Sequence, residues 1–140
     1  MNIVIAENQK SLDQAYRIRM NVFVDEQNVP AEVELDEHDE TAMHFIGYQD
    51  SEAMAASRLR FMNDCGKLER ICVLKPFRGQ SYGKQLIKTM EETIKQHNYK
   101  KATLNAQTHA IAFYESLGYR KISGEFMDAG IPHVTMIKEF

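Results

Sequence analysis

The chain has 140 residues, 44% hydrophobic and 26% charged, with a formal net charge of −3 at pH 7 from 20 acidic and 17 basic residues. That length fits one domain over residues 1–140, with a core that needs no disulfide or metal staple. The acidic balance and the scattered lysines and arginines exclude a nucleic-acid binder, which carries a basic patch. Cys65 and Cys72 form neither a disulfide framework nor a zinc pattern and are expected to stay reduced. The opening Met1-Asn2-Ile3-Val4-Ile5-Ala6-Glu7 lacks a signal peptide, and no apolar run reaches membrane-spanning length. The expectation is a cytoplasmic protein, monomer or homodimer, with no metal and no nucleic-acid or membrane partner.

Asn2 to Ala6 reads as a short strand. Ser11 with Gln14 is a capping-box pattern, and Leu12, Ala15, Tyr16, Arg19 and Phe23 share one helical face. Asp25 to Glu40 reads as irregular, acidic and broken at Pro30. Its run from Glu32 to Glu40 is either a solvated loop or a surface that prefers a cationic substrate such as an amine. Three strands follow, His44 to Gln49, Met54 to Phe61 and Lys67 to about Leu74. The turns between them, at Asp50-Ser51-Glu52 and Asn63-Asp64-Cys65-Gly66, predict antiparallel neighbours.

Pro76 closes the third strand. A helix is predicted over Ser81 to His97, with Tyr82, Leu86, Ile87, Met90 and Ile94 on its apolar face. Lys101 to Ala106 is the next strand, so the strand–helix–strand order predicts a right-handed crossover and a locally parallel pair. A helix over Thr108 to Leu117 ends at Gly118, a usual C′ residue. Two last strands, Tyr119 to Met127 and His133 to Glu139, join through Asp128-Ala129-Gly130. The fold class is α/β (α+β), a central mixed sheet, mostly antiparallel, flanked by helices.

The segment Arg78-Gly79-Gln80-Ser81-Tyr82-Gly83-Lys84 opens the long helix. A loop of small residues at a helix N-terminus offers unpaired N–H groups to an anion, and the helix dipole adds to the attraction. Arg78 and Lys84 flank it and can neutralise a pyrophosphate or ribose phosphate; a tight turn without a ligand is the alternative. A nucleotide P-loop is excluded by spacing. Gly79 and Gly83 enclose three residues rather than four, and Gln85 follows Lys84 where the magnesium-binding hydroxyl would stand. Gly-x-Gly-x-x-Gly is absent too, which disfavours NAD.

Val73-Leu74-Lys75-Pro76-Phe77 followed by Arg78-Gly79-Gln80-Ser81-Tyr82-Gly83 resembles the acyl-CoA loop of the GNAT superfamily of N-acetyltransferases, Gln/Arg-x-x-Gly-x-Gly/Ala. Ser81 replaces the first motif glycine. Gln107-Thr108-His109-Ala110-Ile111-Ala112-Phe113-Tyr114-Glu115-Ser116-Leu117-Gly118-Tyr119 resembles the superfamily's Asn-x-x-Ala-x-x-x-Tyr-x-x-x-Gly-Phe/Tyr, departing only at Gln107. Arg19 to Pro30 and Asp128 to His133 are similar to the ElaA-like branch.

The resemblance implies the GNAT acyl-CoA N-acyltransferase fold, acetyl-CoA as co-substrate, and direct transfer to an amine acceptor in a ternary complex. By the same resemblance Ile71, Cys72 and Val73 line the pantetheine arm, with a backbone N–H near Val73 polarising the thioester carbonyl. The phosphates fall to Arg78, Gly79, Gln80, Ser81, Tyr82, Gly83 and Lys84, and Gln107 joins the cofactor-binding set. Tyr114 falls at the general-acid position. Ala102 replaces the glutamate many relatives carry before the second motif, which leaves Glu69 as the candidate base if burial raises its pKa, with an ion pair to Arg70 or a lysine as the alternative reading. Glu26, His109, His133 and a water relay are the other candidates, and an acyl-Cys72 intermediate is disfavoured. Two other readings stand, a non-catalytic acyl-CoA-binding or regulatory module and a different kind of acyltransferase.

Overall fold

Alternation of apolar and polar residues makes one sheet of eight strands, described by a computed structural model that covers all 140 residues. The strands are β1 (Asn2–Ile5), β2 (Met43–Gln49), β3 (Glu52–Phe61), β4 (Gly66–Val73), β5 (Lys101–Gln107), β6 (Arg120–Lys121), β7 (Phe126–Asp128) and β8 (Ile131–Glu139). Their order is β1-β2-β3-β4-β5-β8-β6, with β7 also paired to β8. All pairs are antiparallel except β4 with β5, the parallel pair expected from the crossover.

The helices are α1 (Gln9–Arg19), α2 (Ala31–Glu34), α3 (Tyr82–Gln96) and α4 (Ile111–Ser116). Helix α3 lies on one face of the sheet, where Leu86, Ile87, Met90 and Ile94 join Phe45, Leu59, Leu68, Leu104 and Met136 in the main core. Helix α1 lies on the other face, burying Ala15, Ile18 and Val22 against Ile46, Ala56 and Cys72.

Four local expectations change. Helix α1 begins at Gln9, because Asn8 rather than Ser11 is the N-cap; its Oδ1 accepts the Ser11 N–H at 2.8 Å. Residues 25–40 are not irregular. A π-type turn over Met20–Glu26 continues α1, α2 follows Pro30, and a 3₁₀ turn over Glu37–Glu40 is capped by Asp36. The helix expected from Thr108 starts as a 3₁₀ turn and becomes α-helical at Ile111. The strand expected over 119–127 is split into β6 and β7, because the Ser123 hydroxyl takes the Thr135 N–H at 2.8 Å and replaces a ladder bond.

Candidate active site

Strands β4 and β5 pair over only three positions, Gly66↔Ala102, Lys67↔Thr103 and Leu68↔Leu104. Beyond Leu68 they part, so β4 from Glu69 to Val73 has no strand partner on its β5 side. The cause lies in the β3–β4 register, where Ala56 pairs with Cys72 but Arg58 with Glu69. Arg70 and Ile71 thus stand opposite Ser57 alone, and Arg70 adopts φ +57. This bulge bends β4 away from its neighbour and opens a cavity of about 280 Å³.

The cavity is walled by Val22, Phe23, Gln27, Val29 and Val33 from the α1–α2 region, by Glu69, Arg70 and Ile71 from β4, and by Asn105 and Gln107 from β5. His109 and Tyr114 come from the α4 region, and Asp128, Ile131 and His133 from the β7–β8 hairpin. Of the residues expected at the site, Ile71, Glu69, Gln107 and Tyr114 therefore meet at one cavity. Cys72 and Val73 follow Ile71 on the part of β4 without a partner on its β5 side, with Cys72 pointing into the α1-side core.

The loop expected to hold phosphates lies at the α3 N-terminus. Gly79 has φ +83 and Ser81 φ +64. The first loop-to-helix bond is Gln85 N–H to Ser81 O at 3.1 Å, so the N–H groups of residues 79–84 have no backbone acceptor. A Cβ built on Gly79 or Gly83 would meet no atom within 4 Å; the loop is open to an approaching ligand rather than packed on protein. Lys84 and Lys88 border a second, smaller cavity beside α3. These residues fit a diphosphate ligand. Arg78, expected at the phosphates, is held by protein partners in this structure. It donates to Val73 O at 2.8 Å and to Glu26 at 2.7 Å. Gln80 accepts from the Tyr82 hydroxyl at 3.1 Å.

Tyr114 packs against the main core and edge-on to Tyr119, and no protein group accepts from its hydroxyl. Burial pushes its pKa up to about 12, so it is a neutral donor at ordinary pH. Tyr119 is tied down, donating to Glu91 at 2.7 Å, with Lys138 at 3.2 Å from the same carboxylate.

For Glu69 the ion-pair reading holds, with Lys67 as one partner, and the raised pKa does not. Burial favours a raised pKa, as expected, but Arg60 and Arg58 with Lys67 outweigh it and hold the carboxylate below its usual range. Its contacts are Arg60 Nε at 2.7 Å, Arg58 Nη2 at 2.9 Å and Lys67 Nζ at 3.4 Å. The Cys72 thiol is pushed up to about 12 by burial and sits 3.7 Å from Ala56 O.

The acidic run is solvated only in part: Glu32, Glu37 and Glu40 are exposed. Glu34 and Asp39 are 2% and 6% exposed. Arg19, fully buried, donates to Glu34 at 3.0 Å and Asp39 at 2.7 Å. Arg58 reaches Asp36 at 2.7 Å and Asp39 at 2.9 Å, and Arg70 reaches Glu34 at 2.9 Å. Burial works to raise the Asp39 pKa, but Arg19, the Asp36 N–H and Arg58 bring it down to about 2. Glu34, Asp36 and Asp39 thus form an internal ion network beside the cavity. The signal for it was Arg58 and Arg60 flanking Leu59 on a central strand, a charged stripe where a half-buried sheet face is otherwise apolar.

The profile described as the acetyltransferase (GNAT) domain matches residues 6–140. The chain belongs to the GNAT acetyltransferase family. This GNAT chain is 44% identical over 140 residues to the uncharacterized N-acetyltransferase YjcF of Bacillus subtilis, covering 99% of this chain and 100% of that one. Protein ElaA of Escherichia coli is 32% identical over 141 residues, covering 94% and 92%. The crystal structure of ElaA superposes with a TM-score of 0.90 at 28% identity, over 99% of this chain and 100% of that one. A GNAT family acetyltransferase from Elizabethkingia anophelis, solved with acetyl-CoA bound, shares the fold with a TM-score of 0.74 at 16% identity, over 99% of each chain. The GNAT chain is an acetyltransferase of the ElaA-like branch. None of its helices is long and apolar enough to cross a membrane.

Proposed function

We propose that residues 1–140 act as one domain that transfers acetyl from acetyl-CoA to a neutral amine, directly, within a ternary complex. The observation that carries this reading is the parting of β4 and β5 beyond Leu68 and Leu104, which opens the sheet between two differently furnished faces. The open loop at α3 supports binding of the diphosphate through the N–H groups of residues 79–84, with Lys84 beside it. The run Ile71-Cys72-Val73, without a strand partner on its β5 side, supports binding of the pantetheine arm. The fold's capacity for this ligand is carried by the acetyl-CoA-bound neighbour.

Apolar residues Val22, Phe23, Val29, Val33 and Ile131 wall the acceptor side and favour the uncharged form of an amine over its ammonium. Tyr114 donates to the departing sulfur. A thiol has a reference pKa of about 8.5, so full proton transfer from a phenol at about 12 runs several kcal/mol uphill. A hydrogen bond that strengthens as the C–S bond breaks is the role the acidity favours, with solvent supplying the thiol proton. A thiol as weakly acidic as Cys72 is a poor nucleophile, which supports direct transfer. We assign Glu69 to holding the β3–β4 surface rather than to deprotonation, since its three cations make it a weak base.

Both cysteines are free and buried, which supports a reducing compartment such as the cytoplasm. The test is a screen of small amines and peptides with acetyl-CoA, read by thiol release and product mass. An acetylated amine is expected. Coenzyme A binding with no turnover on any amine would favour a non-catalytic module instead.

A further inference from the structure

We propose that His133 is the catalytic base that takes the proton from the acceptor amine. This rests on the amine-acetylation reading above and adds the residue that reading lacks. In β8, Val134 and Met136 belong to the main core, so His133 and Thr135 face the opposite, α1 side. Thr135 confirms the direction by donating to Asn105 Oδ1 at 2.9 Å. His133 pairs in register with Gln107, the last residue of β5, and lines the cavity where the strands have parted. Tyr114 approaches that cavity from α4, the element packed on the main core. Proton acceptor and sulfur-side donor thus reach the one cavity from different elements, β8 and α4.

The imidazole is also in the correct tautomer. Its Nδ1 lies 2.7 Å from Ile131 O. A carbonyl only accepts, so in the neutral ring Nδ1 carries the hydrogen and Nε2 keeps its lone pair. No protein group engages Nε2, and it is not a sealed, orphaned atom. His133 is 8% exposed and its ring stacks on Phe126, centroids 6.1 Å apart.

The other titratable groups facing the cavity are committed or less well held. His109 is exposed and its Nε2 meets Gln107 Oε1 at 2.7 Å. Glu69 is clamped by Arg58, Arg60 and Lys67, and Glu34 by Arg19 and Arg70. Asp128 on β7 has no ion-pair partner but is exposed.

The step balances. The amine nitrogen bonds to the acetyl carbon, the C–S bond breaks, and one amine proton passes to His133 Nε2. That proton leaves to solvent, and solvent protonates the thiolate that Tyr114 has hydrogen-bonded.

Two measurements test this. In ¹⁵N-labelled wild-type protein the neutral His133 ring is expected to show the Nδ1–H tautomer; an Nε2–H signature would overturn the proposal without touching the acetylation reading. His133→Ala is expected to lower kcat on the screened amine about 100-fold, with the KM for acetyl-CoA within twofold. Added 4-methylimidazole is expected to restore at least tenfold of the acetylated product. His133→Gln, which keeps side-chain bulk, is expected to lose as much. Wild-type activity with kcat within threefold in either variant, or a loss that 4-methylimidazole does not restore, would overturn His133 as base. A wild type that acetylates no amine would overturn the reading and the base together.

Discussion

Against α3 and α4 the sheet buries a cluster of sixteen residues, almost all apolar, whereas against α1 the comparable cluster has six. Below that smaller cluster the space is filled by Arg19, Arg58, Glu34 and Asp39, with Arg60, Arg70, Asp36 and Glu69 around them. The α3 face is assembled largely from one helix and the strands beside it. The α1 face joins Arg19 to Asp39 across 20 residues, Arg58 to Asp36 across 22 and Arg70 to Glu34 across 36. Local periodicity therefore builds the half we assign to coenzyme A, and long-range ion pairing shapes the half we assign to the acceptor. A network of that kind contributes uncertainly to net stability, because desolvation offsets Coulomb attraction; removing one member is another matter.

The contrast is broken most severely at Arg58, which holds Asp36, Asp39 and Glu69 together. Arg58→Met leaves three buried or half-buried carboxylates with fewer partners and is expected to lose about 3–5 kcal/mol in urea unfolding. A loss under about 1 kcal/mol would mean the network is slack and the two faces are not held differently. On the other face, Tyr114→Phe keeps the ring in the core and removes the donor. We expect kcat to fall about 100-fold, equivalent to about 2.7 kcal/mol, with coenzyme A affinity within twofold. A kcat within twofold of wild type, with chemistry rate-limiting, would leave Tyr114 as packing.

Acid separates the faces further, because the titrating groups lie on the α1 side. Asp39 has a folded pKa of about 2 against 3.8 unperturbed. A depressed carboxylate stabilises the fold fully above the unfolded value and loses that contribution as pH falls through the folded one. Roughly 2 kcal/mol should disappear between about pH 4 and pH 2, and Asp39→Asn should flatten that limb. Burial also lowers the His44 pKa, so its contribution is lost in the same direction, beginning at milder acidity. Burial raises Glu34, which acts with the opposite sign and offsets part of the loss. Unfolding free energy measured against pH in both proteins checks this; parallel curves would remove Asp39 from the network.

The smallest effect belongs to the loop. Ser81 sits at φ +64, where a non-glycine residue is strained by about 1 kcal/mol. Ser81→Gly is expected to raise stability by roughly that amount, less the entropy glycine adds to the unfolded chain, and to leave coenzyme A binding intact. Clear destabilisation would contradict the left-handed geometry.

Sequence reading succeeded where structure is local. The spacing of Tyr82, Leu86, Ile87, Met90 and Ile94 gave α3 to within a residue, and the strand–helix–strand order gave the parallel β4–β5 pair. The motif around Tyr114 led to the cavity because α4 follows directly from β5. What failed depends on partners distant in the chain. An ion pair to a nearby lysine was foreseeable for Glu69, and Lys67 makes it, but nothing near Glu69 in sequence announces that Arg58 and Arg60 share its carboxylate. Glu34 and Asp39 looked like solvent-facing acids because Arg19 and Arg58, which bury them, lie on α1 and β3. The Arg78–Glu26 pair spans 52 residues and has no local signal in the sequence. The bulge at Arg70 depends on a register that only the assembled sheet fixes.

The most direct test of the division between the faces is a titration of coenzyme A into ¹⁵N-labelled protein, followed by amide shifts in wild type and in Gly83→Glu. A Cβ at Gly83 meets open space, so the variant is expected to fold normally while its added bulk and charge oppose the diphosphate. In wild type the large shifts should fall on residues 79–84 and on Ile71 to Val73, while α2 and the Glu37–Glu40 turn stay nearly still. In Gly83→Glu the affinity should drop at least about 100-fold. Shifts centred on α2 and the ion network, or unchanged affinity in the variant, would contradict the assignment of coenzyme A to the α3 side.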